Sequence, residues 1–214
     1  MLIDKILNYT KRDIDQGYTP QIIYKLCSCI REAFCLSYDI RKDNVLYLFF
    51  QKEHVLIKFE GTKLRYLGPD ERSQALLLEK ALNNVKNNFF IENDQWRKST
   101  PGIFFRKFID ISSFINFLNS IMKGRNFLII DNPQNVKESV EDFNSIKIFI
   151  GNMQNDFFLI PIYSISRDNS KMIELFKELK NIKLISLSKI QEVENKILYI
   201  NFRKDQQGIP SKNL

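Results

Sequence analysis

Glycine is scarce, with 7 in 214 residues, and neither a Walker phosphate loop nor a G-x-G-x-x-G fingerprint can be drawn from them. Histidine occurs once, as His54 between two strand-like runs, which leaves no His-centred hydrolase apparatus and predicts a hairpin tip. The 3 cysteines, Cys27, Cys29 and Cys35, are an odd number in a chain this large, against a disulfide framework and for a reducing compartment. Cys27 and Cys29 are two apart in a helical pattern, so they diverge, cannot share an ion, and are expected to pack in a core; no metal site is expected. Long apolar runs are missing too. The longest, Phe157–Tyr163, contains Pro161 and falls far short of the ~18 residues of a membrane span. Charges at Asp4 and Lys5 stand where a signal peptide needs apolar residues, so the expected location is cytoplasmic, without a membrane partner.

What the chain does have is apolar mass and a basic balance. Hydrophobic residues make up 44% and 18 phenylalanines are present, enough to build a core without staples. The net charge is +7, and residues 1–130 hold 20 basic against 14 acidic side chains, so a polyanion-facing surface would belong to that part.

Helical spacing over Gln21–Phe34, after Thr19-Pro20, predicts a helix. Val45–Phe50 and Val55–Phe59 read as strands joined by the tip Gln51–His54, with a third strand at Lys63–Leu67. A helix is expected from Asp70 to about Val85, an exposed loop over Asn83–Trp96, a strand at Ile103–Phe105 and a helix at Ser112–Met122. Further on come strands at Phe127–Ile130, Ile146–Ile150 and Ile182–Ile185, a helix at Lys171–Leu179, a short helix at Ser188–Glu194, a last strand at Ile197–Phe202 and a frayed tail, Arg203–Leu214. Alternating helices and wholly apolar strands indicate an α/β fold with a mainly parallel sheet flanked by helices, read as one domain over residues 1–214.

Three clusters are not what helices and strands require: Leu36-Ser-Tyr-Asp-Ile-Arg-Lys-Asp43, Gly68-Pro-Asp-Glu-Arg-Ser73 and Ser99-Thr-Pro-Gly-Ile-Phe-Phe-Arg106. Each can be read as turn and capping chemistry. A helix start carrying Arg72, and a Gly-bearing turn followed by Arg106, are also the parts that hold phosphates.

With Ile57-Lys-Phe-x-Gly61 between them, and in this order, the clusters resemble the archaeal tRNA pseudouridine-54 N1-methyltransferases, members of the SPOUT (α/β-knot) methyltransferases. The strong part of the resemblance spans about residues 22–106. Ile148-Phe-Ile-Gly151 and Leu184-Ile-Ser-Leu-Ser188 occupy the places of the family's two cofactor-loop signatures. Beyond them the chain departs from the family: Asn152–Asn155 replaces an acidic, Gly-containing loop, Lys189 a proline, and Ile197 a cysteine.

The resemblance implies a SPOUT fold with a C-terminal trefoil knot, a homodimer, S-adenosyl-L-methionine as cofactor, and methylation of N1 of pseudouridine 54 in the tRNA T-arm. It implies Asp39 as the carboxylate that assists loss of the N1 proton. Arg41, Arg72 and Arg106 would hold phosphates or the extruded nucleoside, with Ser99 and Gly102 shaping the pocket wall. Ile129, Ile130, Gly151, Leu187, Ser188 and Ile197 would line the cofactor site, largely through backbone groups. The alternative is an RNA-binding protein of the same fold that does not methylate, or that acts on another RNA.

Overall fold

The computed structural model describes residues 1–87, 95–143, 155–162, 169–179, 181–187 and 189–207. Packing divides the chain into two compact units, Met1–Phe114 and Ile115–Leu214.

The first unit carries β1 (Leu2–Ile3), α1 (Lys11–Asp15), α2 (Gln21–Phe34), β2 (Val45–Phe50), β3 (Val55–Glu60), α3 (Glu71–Asn87), β4 (Arg97–Thr100) and β5 (Ile103–Lys107). The helix α4 (Ile111–Ile121) begins in it. Its sheet runs β1-β2-β3-β5-β4. Only the β1–β2 pair is parallel, so the expected mainly parallel sheet does not extend to this half. The reason is local: a short tip joins β2 to β3, and Pro101-Gly102 turns β4 into β5, and such connections yield antiparallel neighbours.

Alternation assigns the two sheet faces. Leu48, Phe50, Val55, Ile57, Phe59, Ile103 and Phe105 are buried on one face. α2 packs there, with Phe34 and Phe59 ring centres 6.4 Å apart, and α3 lies against both α2 and β5. Cys27 and Cys29 are both fully buried on α2, as core packing requires, and burial pushes the Cys27 thiol up to about 12. On the other face Phe49 stacks on Phe114 of α4 at 3.5 Å, and Phe108 meets both rings edge-on.

Helix starts follow capping chemistry. Thr10 and Asp13 form a reciprocal capping box on α1. Asp70 accepts from the Ser73 backbone N–H at 2.8 Å before α3, and Asp110 from that of Ser113 at 2.7 Å before α4. Two expectations fail here. Lys63–Leu67 is no strand: Gly61–Lys63 forms a 3₁₀ turn, and β5 already pairs with the free edge of β3. The loop expected over Asn83–Trp96 is helical through Asn87, and residues 88–94 lie outside the described part.

The second unit holds β6 (Asn126–Ile129), β7 (Glu141–Asp142), β8 (Phe157–Leu159), α5 (Asn169–Phe176), β9 (Ile182–Ser186) and α6 (Val193–Gln207). Its four-stranded sheet, β7-β9-β6-β8, is parallel throughout. All four residues of β6 are buried, as a central parallel strand demands. Ile146–Ile150 lies outside the described residues. The expected last strand, Ile197–Phe202, is instead part of α6. Val193, Ile197 and Ile200 are buried while Leu198 and Phe202 are about half exposed, a helical pattern that the continuous run Ile197-Leu-Tyr-Ile200 conceals. The short helix expected at Ser188–Glu194 is likewise replaced: α6 starts at Val193 and continues through Arg203–Gln207, where fraying was expected.

Candidate functional site

In the first unit the three clusters converge on the segment from Glu60 to Gly68. The carbonyls of Arg41, Lys42 and Asn44 crowd Gly61 so closely that a Cβ there would lie 2.3 Å from the Arg41 oxygen. The Gly61 N–H donates to the Asn44 carbonyl at 3.0 Å. Gly102, with φ +83°, lies against the backbone of Lys63 and Leu64, where a Cβ would come within 2.4 Å of the Leu64 nitrogen. The Cys35 thiol donates to the Gly68 carbonyl at 3.8 Å, and the Gln74 amide to the same oxygen at 3.0 Å. Residues from Cys35 to Gly102 thus meet around one short segment.

Asp39 closes the turn that follows α2. The Leu36 N–H donates to the Asp39 carbonyl at 2.9 Å, and the Arg41 N–H to the Phe34 carbonyl at 2.7 Å. The Asp39 side chain is 60% exposed; its Oδ1 accepts from the Ile40 backbone at 2.8 Å and its Oδ2 from Lys42 Nζ at 3.3 Å. Those two bonds, the backbone one first, hold its carboxyl below the ordinary carboxylate range. Next to it Tyr38 projects fully into solvent.

The arginines divide. Arg41 is half-buried, its backbone in the convergence. Arg72, in the first turn of α3, is engaged by Asp15 of α1. Arg106 stands opposite Leu56 in the β3–β5 ladder, at the His54 end of the sheet, away from the Gly61 end. Its guanidinium lies 4.8 Å from the Phe108 ring centre. Asp39 and Arg106 are therefore presented from opposite ends of β5. Ser99 accepts from the Asn84 amide at 2.9 Å, joining β4 to α3.

In the second unit β6 and β9 end side by side. The Ile130 N–H donates to the Ile185 carbonyl at 2.8 Å, and the Phe143 N–H to that of Ser186 at 3.0 Å. Ile129, Ile130 and Leu187 are buried at these strand ends, and Ile197 is buried on α6. Gly151 and Ser188 lie outside the described residues. The carboxyl ends of parallel strands are where open α/β sheets present ligands. The Ser186 hydroxyl there is buried and has no hydrogen bond among the described residues, a polar atom available to a ligand.

Features the sequence reading passed over include a buried ion pair from Lys196 of α6 to Asp131, just beyond β6. A groove of about 720 Å³ runs along α6, lined by Lys189, Asn195, Leu198, Tyr199 and Phe202 among others. Reading 197–202 as a strand hid both. Lys58, Lys63, Trp96 and Phe104 also gather in the first unit; Lys58 and Glu60, two apart on one face of β3, were the available signal.

The chain thus holds two units, one with a mixed sheet that carries the three converging clusters, the other with a parallel sheet whose central strands end side by side. The sequence pattern of the family described as "Putative SAM-dependent RNA methyltransferase" matches residues 23–152, and the chain belongs to that family. It is similar to the tRNA (pseudouridine(54)-N(1))-methyltransferase of Methanocaldococcus jannaschii, 35% identical over 58% of this chain and 60% of that protein. The protein of that name from Methanococcus maripaludis is 40% identical over 41% of this chain and 44% of its own. The one from Methanocella arvoryzae is 28% identical over 85% of this chain and 84% of its own. The chain thus spans less than two thirds of the length of the first two of these relatives. Among solved structures it aligns with Archaeoglobus fulgidus Nep1 bound to S-adenosylhomocysteine, at 14% identity and TM-score 0.48, over 86% of this chain and 69% of the other.

Proposed function

We propose that this chain is an S-adenosyl-L-methionine-dependent methyltransferase acting on N1 of pseudouridine 54 in the T-arm of tRNA. The observation that carries the reading is the family match over residues 23–152, which contains all three converging clusters. Relatives that bear this activity in their names match 58% and 85% of this chain, the second along 84% of its own length.

The cofactor, when bound, supplies a methyl group on an activated sulfonium. The chain has the rest to do. It aligns the base with that methyl by anchoring the strand of the T-arm, and it lets the N1 proton leave as the N–C bond forms. Asp39 is the group assigned to that proton, with Lys42 as the partner it gives up when RNA arrives. Arg41, Arg72 and Arg106 hold phosphates or the extruded nucleoside, and Ser99 and Gly102 shape the pocket wall. Ile129, Ile130, Gly151, Leu187, Ser188 and Ile197 hold the cofactor, chiefly through backbone N–H and C=O groups. The reading carries with it the SPOUT trefoil knot in the second unit, the two units working as one methyltransferase domain, a homodimer and a cytoplasmic location. Among the described residues no helix is long and apolar enough to cross a membrane.

The test is a calorimetric titration with S-adenosyl-L-methionine, followed by single-turnover methylation of a T-arm hairpin carrying pseudouridine or uridine at position 54. Cofactor binding and transfer to pseudouridine alone are expected. A chain that binds the hairpin but takes up no cofactor is the RNA-binding alternative.

A further inference from the structure

The face of the first unit's sheet that Phe114 covers at one end carries a different surface at the other. Tyr47 of β2, Lys58 of β3 and Phe104 of β5 are successive partners across the ladders, so their side chains share that face. Trp96, just before β4, reaches across it. Its ring lies 4.9 Å from Lys58 Nζ and 6.5 Å from the Tyr47 ring centre. Lys58 Nζ is also 4.7 Å from the Phe104 ring, and Lys63 Nζ is 5.6 Å from it. Glu60 accepts from Lys58 at 2.8 Å and pairs with Lys63 at 2.6 Å. Three rings and two ammonium groups therefore gather in one patch, the Tyr47 and Trp96 rings tilted 40° to each other. Lys98 stands opposite Phe104 on the same face and is exposed.

A purely structural cluster would bury such rings; here Tyr47, Trp96 and Phe104 are each only half-buried, and Lys63 is 58% exposed. One carboxylate faces three lysines, so the patch is net positive. Rings held rigidly on a sheet beside cations are the chemistry that receives splayed nucleobases while their phosphates lie along the ammonium groups. We propose that this patch is a stacking platform for unpaired RNA nucleotides, with Trp96 and Phe104 as the base-contacting rings and Lys63 and Lys98 as phosphate partners. The proposal deepens the RNA reading above, adding a surface separate from the convergence of the three clusters. Binding RNA here requires no cofactor.

Trp96 is the chain's single tryptophan, so its emission reports on this face alone. The experiment titrates the full chain, without cofactor, with end-labelled oligouridine of about ten nucleotides, following label anisotropy and tryptophan emission together. Quenching that saturates with the same midpoint as the anisotropy is expected, with little quenching by a duplex of equal length, whose bases are not splayed. Phe104→Ala and the exposed Lys63→Gln, checked for a parental melting profile, should each weaken binding about tenfold, and Lys98→Gln less. Oligouridine that binds with emission unmoved and with Lys63→Gln at parental affinity overturns the platform, as does absence of binding or equal quenching by the duplex. Loss of methylation with quenching intact would overturn the methyltransferase reading and leave this one standing.

Discussion

Arg72 and Asp15 are joined by a forked contact: Nη2 and Nε of the arginine lie 2.7 and 3.2 Å from the same carboxylate oxygen. The bond ties the end of α1 to the first turn of α3, where the anion-attracting backbone of a helix start lies beside the guanidinium. Arg72 can grip a phosphate only by letting Asp15 go. Both groups reach solvent, so the pair adds little to folding. Asp15→Asn should therefore leave the melting temperature nearly unchanged and raise affinity for a T-arm hairpin a few-fold, and Arg72→Gln should lower it. Equal affinity for parent and both variants, measured at low salt, would remove Arg72 from the interface.

Gly102 was expected to contact RNA, and its geometry makes a further demand of its own. With φ at +83° and Leu64 nitrogen 2.4 Å from a prospective Cβ, alanine suffers both backbone strain and a collision with main chain. The loss should be about 1–3 kcal/mol or more, seen as a lowered denaturant midpoint at unchanged slope. Gly17, also at positive φ but with nothing within 4 Å, is the control: Gly17→Ala should cost less.

The buried pair of Lys196 and Asp131 links α6 to the end of β6. The lysine side chain is 4% exposed and the aspartate 29%, so removing the carboxylate strands a cation that water barely reaches. Asp131→Asn should cost about 3 kcal/mol, the lower end for broken buried pairs because the aspartate keeps some solvent. Lys196→Met combined with Asp131→Asn should cost less than the single aspartate change, a coupling that a double-mutant cycle by chemical unfolding reads directly.

Acid stability follows from the helix caps. Asp70 and Asp110 are held below the ordinary carboxylate range, first by the backbone N–H groups of Ser73 and Ser113. A depressed carboxylate stabilises the fold above its unfolded value of about 3.9, and that contribution fades as pH falls through the lower, folded value. The melting temperature should be flat in this respect from neutral pH to about 5 and fall below about 4. Asp70→Asn with Asp110→Asn keeps the caps, since asparagine caps as well, and should flatten the acid limb.

What could be read from sequence tracks how each element gets its stability. α2 and the β2–β3 hairpin emerged with their ends in place because periodicity, a start signal and a polar tip agree there. α6 did not, because Ile197–Ile200 is a continuous apolar run, equally suited to a buried strand, and only its packing separates the two. Lys63–Leu67 has strand composition, but its potential partner edge is taken by β5, a fact no local pattern holds. The three clusters were legible as unusual. That they meet around Glu60–Gly68 was not, since the close approaches of Gly61 to the Arg41 carbonyl and of Gly102 to Leu64 join stretches far apart in the chain. The aromatic and lysine patch was missed for the same reason: Trp96 reaches its partners across strands far apart in the chain.

Asp39 separates chemistry from turn formation. Its Oδ1 bond to the Ile40 N–H is one that an asparagine oxygen can keep, so the turn after α2 should survive Asp39→Asn with melting temperature and RNA affinity little changed. The bond to Lys42 is the one that weakens, and both groups are more than half exposed, so little stability goes with it. Reactivity should change far more. If the carboxylate assists loss of the N1 proton, asparagine, a far poorer base, should lower single-turnover methylation of a pseudouridine T-arm at least roughly 100-fold. The depressed titration of Asp39 adds a second readout, because the carboxylate stays ionised to a pH below the ordinary range and no acid limb from this group should enter the rate between neutrality and about pH 5. Lys42→Gln should release the carboxylate from its cation and make it a stronger base, raising the chemical rate as long as Lys42 does not itself hold RNA. Near-parental methylation by Asp39→Asn would make Asp39 a turn residue, and the proton would then leave to water or another group.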